Sequence, residues 1–137
     1  MRGRSRTNGI QRARRADLPA LRALDRTCFP SPLPFYIWLW GWLPGGEVRL
    51  LWNATQPVAY AVRLGNDVVR LGVHPAHRRQ GHARRLLRSW LAQGRRLRVQ
   101  VREGNAPARA LYATLGFQQV GDCRYAAGEA GLVLAVG

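Results

Sequence analysis

The stretch Val68–Ser89, VVRLGVHPAHRRQGHARRLLRS, has the residue types and the order needed to hold an anion. VVRLGV reads as a short apolar strand, and His74-Pro75 stops it. The turn RRQGHA follows, then an amphipathic helix from near Ala83. A strand, a glycine turn and a helix in that order aim several unbonded backbone N–H groups at one spot, where the helix dipole favours negative charge. A phosphorylated ligand is therefore expected at Arg79–Arg84. A second stretch, VREGNAPARALYATLGF, puts Tyr112 seven residues after Asn105. That is two helical turns, so both lie on one helix face. The two cysteines, Cys28 and Cys123, and three histidines show no spacing that suggests zinc. No metal is expected.

These residues need elements to carry them. Ile10–Arg15 reads as a short edge strand. Asp17 is a candidate cap for a helix with Pro19 in its first turn, and Leu18, Leu21, Leu24 and Cys28 form its apolar stripe. The segment Ser31–Gly46 concentrates Phe35, Tyr36, Trp38, Trp40 and Trp42 among prolines and glycines. It reads as a loop with one short helix: an aromatic lid over the core, a substrate-facing wall or a dimer patch. Glu47–Ala54, Val58–Leu64 and Asp67–Val73 form a meander, turning at Thr55-Gln56-Pro57 and at Gly65-Asn66. The helix after the glycine turn runs to about Gln93 with Gly94 as its stop. Leu97–Val101 alternates apolar and polar residues, a strand expected to lie parallel to its predecessor. Asn105 caps a helix that runs to Leu115, and Phe117–Ala126 with Ala130–Val136 closes the chain as a hairpin. The reading is α+β: one domain over 10–137, a central mixed sheet flanked by helices, after a basic arm at 1–9 expected to lack order.

This order, carrying these motifs, resembles the GNAT superfamily of acetyl-CoA-dependent N-acetyltransferases over nearly the whole chain after Gly9. LGVHPAHRRQGHARRLL matches the family's strand ending and its Gln/Arg-x-x-Gly-x-Gly/Ala turn, here Arg78-x-x-Gly81-x-Ala83. VREGNAPARALYATLGF is similar to the family's Asn-x-x-Ala-x-x-Leu-Tyr-x-x-x-Gly-Phe. With the Cys28-Phe29-Pro30 run, this second motif most resembles the branch that acetylates the N-terminal alanine of ribosomal proteins. The resemblance implies that backbone amides of Arg79, Gln80, Gly81, His82, Ala83 and Arg84 hold the pyrophosphate of acetyl-CoA. Glycine at 81 lets the backbone approach, and the arginines add charge-assisted bonds. Arg85 and Arg88 read as a solvated face. Leu71, Gly72 and Val73 would bond the pantetheine arm, one N–H polarising the thioester carbonyl, and Asn105 would also bond the arm. Gly72 would suit a strand that opens to receive a ligand. Tyr112 would be the catalytic residue, protonating the departing thiolate: a phenol of pKa about 10 can donate to a thiolate whose thiol has pKa about 8.5.

In one position the chain departs from that pattern. The N-terminal-alanine branch commonly carries a glutamate base in the strand before the second motif, and Gln100 stands there. Glu103 comes three residues later, Arg70 occupies the centre of the third strand, and His74 and His82 read as loop histidines rather than relays. An α-amine of pKa about 7.7–8.0 is partly neutral at pH 7 and could react without a base; a lysine amine of about 10.4 would find it harder.

The resemblance therefore implies acetyl transfer from acetyl-CoA to a primary amine, either a protein N-terminal α-amine or a small amine, by direct attack in a ternary complex. The alternative is a GNAT-fold module with little or no catalysis that binds CoA or nucleic acid. The charge suits either: 22 basic residues, all arginine, stand against 7 acidic ones, a net +15. Such a field favours anionic partners, nucleic acid or the ribosome among them, and disfavours a polycationic acceptor. No apolar run reaches the roughly 18 residues of a membrane span, and no apolar signal core begins the chain. A cytoplasmic protein without membrane contact is expected, and a monomer or a homodimer fits equally.

Overall fold

The computed structural model describes residues 9–137. A seven-stranded mixed sheet forms its centre, in the order β1-β2-β3-β4-β5-β7-β6. The strands are β1 (Gly9–Arg12), β2 (Gly46–Asn53), β3 (Gln56–Leu64), β4 (Asp67–Val73), β5 (Leu97–Arg102), β6 (Gln118–Arg124) and β7 (Ala130–Val136). The helices are α1 (Leu18–Cys28), α2 (Phe35–Gly41), α3 (His82–Leu91) and α4 (Ala106–Thr114). The expected arm at 1–9 lies outside the described residues except for Gly9, which opens β1 against Trp52.

Strand alternation divides the core between the two faces of the sheet. Leu50, Tyr60 and Val62 pack under Leu21 and Leu24 of α1 and Trp38 of α2. Leu51, Ala59 and Ala61 point the other way, with Val99 and Val101, against Leu86, Leu87 and Trp90 of α3 and Tyr112 of α4. The sheet is therefore a wall between two helical layers.

The antiparallel meander of β2, β3 and β4 is as the sequence suggests, with Gly65 in the left-handed region at the second turn. The first turn is tighter than expected. It uses Ala54 and Thr55, Ala54 adopting φ 59°, while Gln56 and Pro57 begin β3. Proline is tolerated there because it sits near the strand start, at the register shift between Leu51 and Trp52. The closing hairpin does not simply extend the sheet: β7 inserts between β5 and β6.

The aromatic segment forms α2 as a short helix. Trp38 is buried with its ring 6.1 Å from that of Tyr60, whereas Phe35, Tyr36, Leu39 and Trp40 are about half exposed. None of Ser31–Gly46 lines the cleft described below, so the segment is no wall of it. Among the described residues no helix is long and apolar enough to cross a membrane.

A buried charge cluster ties the sheet to α3. The Glu47 carboxylate accepts from Arg49 Nε at 2.7 Å, Arg63 Nη2 at 3.0 Å and Trp90 Nε1 at 2.9 Å. Arg49 goes on to Ser89 Oγ at 2.7 Å and Gln93 Oε1 at 2.6 Å. Burial alone would raise the Glu47 pKa, but these three donors outweigh it and hold it down at about 2. A carboxyl depressed in the folded state stabilises fully above its ordinary value of 4.5 and loses that contribution as pH falls toward 2. An acid titration followed by circular dichroism is expected to lose about 3 kcal/mol of stability through that window. Glu47→Gln should be less stable at pH 7 and lose less between the two pH values; an unchanged acid profile would contradict the assignment.

Candidate active site

Where β4 and β5 meet, the sheet is parallel at one residue pair only, Asp67 with Arg98. The Arg98 N–H also reaches Asn66 O at 2.7 Å, and Arg98 Nε bonds the Asp67 carboxylate at 2.6 Å. Beyond this point the strands part, and a cleft of about 500 Å³ opens between them. Leu71, Gly72 and Val73 form one wall and Gln100, Val101 and Arg102 the other, with Asn105 and Tyr112 of α4 on the same cavity. The parallel pairing read from the sequence is thus correct in sense but confined to one end.

The wall at β4 is prepared for a partner. The His74 N–H bonds Val58 O on β3 at 2.7 Å. By strand alternation, the N–H groups of Val73 and Leu71 then face the opposite edge, toward the cleft. Val73 O, on that edge, accepts from Arg78 Nε at 3.0 Å. Gly72 also has a packing reason: a Cβ there would stand 2.6 Å from the Tyr60 ring and 3.1 Å from that of Phe29, so the missing side chain makes room for these aromatics.

At the far end, the cleft continues into a recess of about 370 Å³, sharing Val73, Arg78, Ala83 and Leu111 with it. Arg79, Gly81, His82 and Arg84 line this recess. Arg79 at φ 64° and Gly81 at φ 81° fold the turn, and a Cβ on Gly81 would meet nothing within 4 Å. The first helical bond of α3 runs from the Arg85 N–H to Gly81 O, leaving the N–H groups of His82, Ala83 and Arg84 without intrahelical acceptors. Arg84 Nε and His82 Nδ1 are enclosed with no hydrogen-bond partner. Burial, then the neighbouring Arg85 and His77, lower the His82 pKa. Gln80 does not line the recess; its Oε1 lies 3.1 Å from His82 Nε2.

The Asn105 side chain caps α4, its Oδ1 accepting the Ala108 N–H at 3.2 Å. That leaves its amide N–H₂ as the group available to the cleft. Tyr112 is buried beside Phe117, ring centroids 5.2 Å apart. Burial, and to a lesser degree Tyr125, push its pKa up to about 12. His74 is a loop residue, as expected: its Nδ1 accepts the Ala76 N–H at 3.0 Å.

Three participants escaped the sequence reading. Tyr125, just past β6, lines the cleft and also a second recess of about 460 Å³, which meets the cleft at Val68, Val69, Gln100 and Tyr125. Asp25 is the second: fully buried, it accepts from Tyr60 Oη, from Arg70 Nε at 2.8 Å and from the Leu33 N–H at 2.8 Å. Burial opposes ionisation, but these donors prevail and keep the carboxyl below its ordinary value. Arg70 is the third. It bonds Ser31 O at 2.6 Å and lies 3.8 Å from the Phe29 ring centroid, so it fastens the 29–33 loop to the cleft rim. One signal for Asp25 was present: it lies four residues after Leu21, on the apolar stripe of α1. Among the described residues no cluster of three potential metal ligands exists.

The family model described as an acetyltransferase (GNAT) domain matches residues 45–119, more than half of the chain. Two curated relatives match part of it. The N-alpha-acetyltransferase RimI of Mycobacterium tuberculosis is 46% identical over 69 residues, 49% of this chain and 40% of the relative. The mycothiol acetyltransferase of Streptomyces coelicolor is 41% identical over 80 residues, 54% of this chain and 23% of the relative. The matches thus span less than half the length of either relative. Among solved structures, a ribosomal-protein alanine N-acetyltransferase from Escherichia coli has a TM-score of 0.83 at 24% identity, covering 95% of this chain and 93% of that one. Arabidopsis thaliana Naa50, solved with a bisubstrate analogue, also scores 0.83, at 17% identity, covering 96% and 99%. The fold is thus shared with acetyltransferases, and the chain belongs to the GNAT acetyltransferase family.

Proposed function

We propose that this domain transfers an acetyl group from acetyl-CoA to a primary amine, either a protein N-terminal α-amine or a small amine. The observation that carries the reading is the continuity of the cleft. A turn rich in unbonded N–H groups lies at one end, the free edge of β4 in the middle and Tyr112 on the opposite wall. The shape matches an elongated molecule with a pyrophosphate in its length and a thioester at its tip. The relatives lend support to both acceptor types, one being named for α-amine acetylation and the other for mycothiol.

In this reading the N–H groups of His82, Ala83 and Arg84 receive the pyrophosphate with the Arg84 side chain. The edge of β4 pairs with the pantetheine arm as a neighbouring strand would. A cleft-facing N–H of β4 receives the charge that builds on the thioester oxygen, a contact typically worth about 3–4 kcal/mol of barrier. Asn105 steadies the arm through its amide N–H₂. The acceptor nitrogen enters from the recess beside Gln100, and Tyr112 donates to the departing sulfur.

Calorimetric titration with acetyl-CoA, followed by a thiol-release assay with an alanine-initiated peptide, tests this. Binding with peptide-dependent CoA release is expected. Gly81→Val should weaken acetyl-CoA binding roughly tenfold, since a β-branched residue resists φ 81° by about 1–2 kcal/mol. Binding of acetyl-CoA without CoA release from any amine would leave a ligand-binding module instead.

A further inference from the structure

The cleft holds many cations and no group able to take a proton. All seven carboxylates of the chain lie among the described residues, so they can be followed one by one. Asp25 and Glu47 are buried in their arginine clusters. Asp17 is buried and accepts the Arg14 N–H. Asp67 borders the outer recess but is held by Arg98, and Glu129 is held by Arg102 at 2.8 Å. Asp122 accepts from Gln119, and Glu103 lies past β5, outside the lining of both cavities. The three histidines are elsewhere too: His77 and His82 line the anion recess, and His74 is tied to its own loop.

The titratable side chains that line the cleft are Arg70 from β4, Arg78 from the turn, Arg102 from β5, Cys28 from α1, Tyr112 from α4 and Tyr125 just past β6, and Asp67 and Arg98 line the outer recess. Burial is the leading cause that raises the pKa of Cys28, Tyr112 and Tyr125, so all three stay protonated at neutral pH. Arg70, Arg98 and Arg102 each occupy a carboxylate, Asp25, Asp67 and Glu129, so no unpaired carboxylate is offered to an incoming ammonium. Gln100 and Tyr125 are the neutral polar side chains shared by both cavities, and of the two Gln100 alone offers a carbonyl, which can accept an N–H but cannot keep a proton.

Resting on the acetyl-transfer reading above, we propose that the acceptor is taken only as the neutral amine. Its N–H donates to the Gln100 side-chain carbonyl, and the protein supplies no base. The substrate class is thereby set by basicity: weakly basic amines react and strongly basic ones do not. The chemistry balances without a base. The nitrogen lone pair forms the C–N bond, and the C–S bond breaks with its electron pair on sulfur. The nitrogen gives its proton to water, Tyr112 gives one to sulfur and is reprotonated from water, so the proton lost by nitrogen equals the proton gained by sulfur. Gln100 is a positioning residue in this scheme.

The test is the pH profile of kcat/KM for two acceptors, an alanine-initiated peptide and a lysine side chain in an Nα-acetylated peptide. Log kcat/KM should rise with unit slope up to the pKa of each acceptor, so the break moves when the acceptor changes. At pH 7 neutral fractions alone favour the α-amine about 300-fold. Gln100→Glu should introduce a base and flatten the profile, exceeding the parent about tenfold at pH 6 and converging with it by pH 9. A break shared by both acceptors below pH 7.5 overturns the inference while leaving acetyl transfer intact. A Gln100→Glu profile parallel to the parent overturns the placement of the nitrogen at that residue. Bound acetyl-CoA with no turnover of either acceptor or of small primary amines overturns the acetyl-transfer reading, and this inference with it.

Discussion

Asp25→Ala is expected to lower the free energy of unfolding by about 3–5 kcal/mol, the usual result of removing one partner from a buried ion pair. The deletion leaves Arg70 without its counter-charge, Tyr60 Oη without an acceptor and the Leu33 N–H unpaired. Denaturant melts read the loss directly. The same change frees the 29–33 loop, because Arg70 holds Ser31 O only while Asp25 orients its guanidinium. Acetyl-CoA binding should weaken along with stability, since Phe29 and Arg70 both line the cleft. Asp25→Asn retains an acceptor and the volume, so it should lie between parent and alanine variant. A melt unchanged by Asp25→Ala would refute the network.

Tyr112→Phe is expected to lower kcat by about 10²–10⁴, the range for losing a positioned proton donor, with KM for acetyl-CoA little changed. The ring packs on Phe117 and remains buried in the variant, so stability should stay within about 1 kcal/mol. The pKa of about 12 also fixes a sign: the phenol stays protonated across the working range, so no alkaline fall in rate should come from Tyr112 below about pH 11. Single-turnover kinetics check this. A Tyr112→Phe rate equal to the parent would remove the residue from the mechanism.

Much of this site was written in local order. Gly81 and Asn105 act within a few residues of themselves, through a left-handed turn and a cap, so short motifs reveal them. The meander followed from Gly65-Asn66 for the same reason. What the sequence concealed depends on partners far along the chain. Asp25 meets Tyr60 and Arg70 across separations of 35 and 45 residues, and among 22 arginines nothing marks which one it takes. The narrowing of the β4–β5 pairing to one residue pair was invisible as well, because it joins strands about thirty residues apart and no short motif records where they part. The loop was misplaced at Gln56-Pro57 because a register shift admits proline to β3.

The parting of β4 and β5 leaves two strand edges inside the molecule with much of their backbone unpaired. Such edges invite a strand from another chain, the first step toward aggregation. Arg70, Arg78 and Arg102 stand along this gap, and a net +15 repels other copies. The arginines along this gap thus act as wardens of an unfinished sheet, turning away a polypeptide of the same kind.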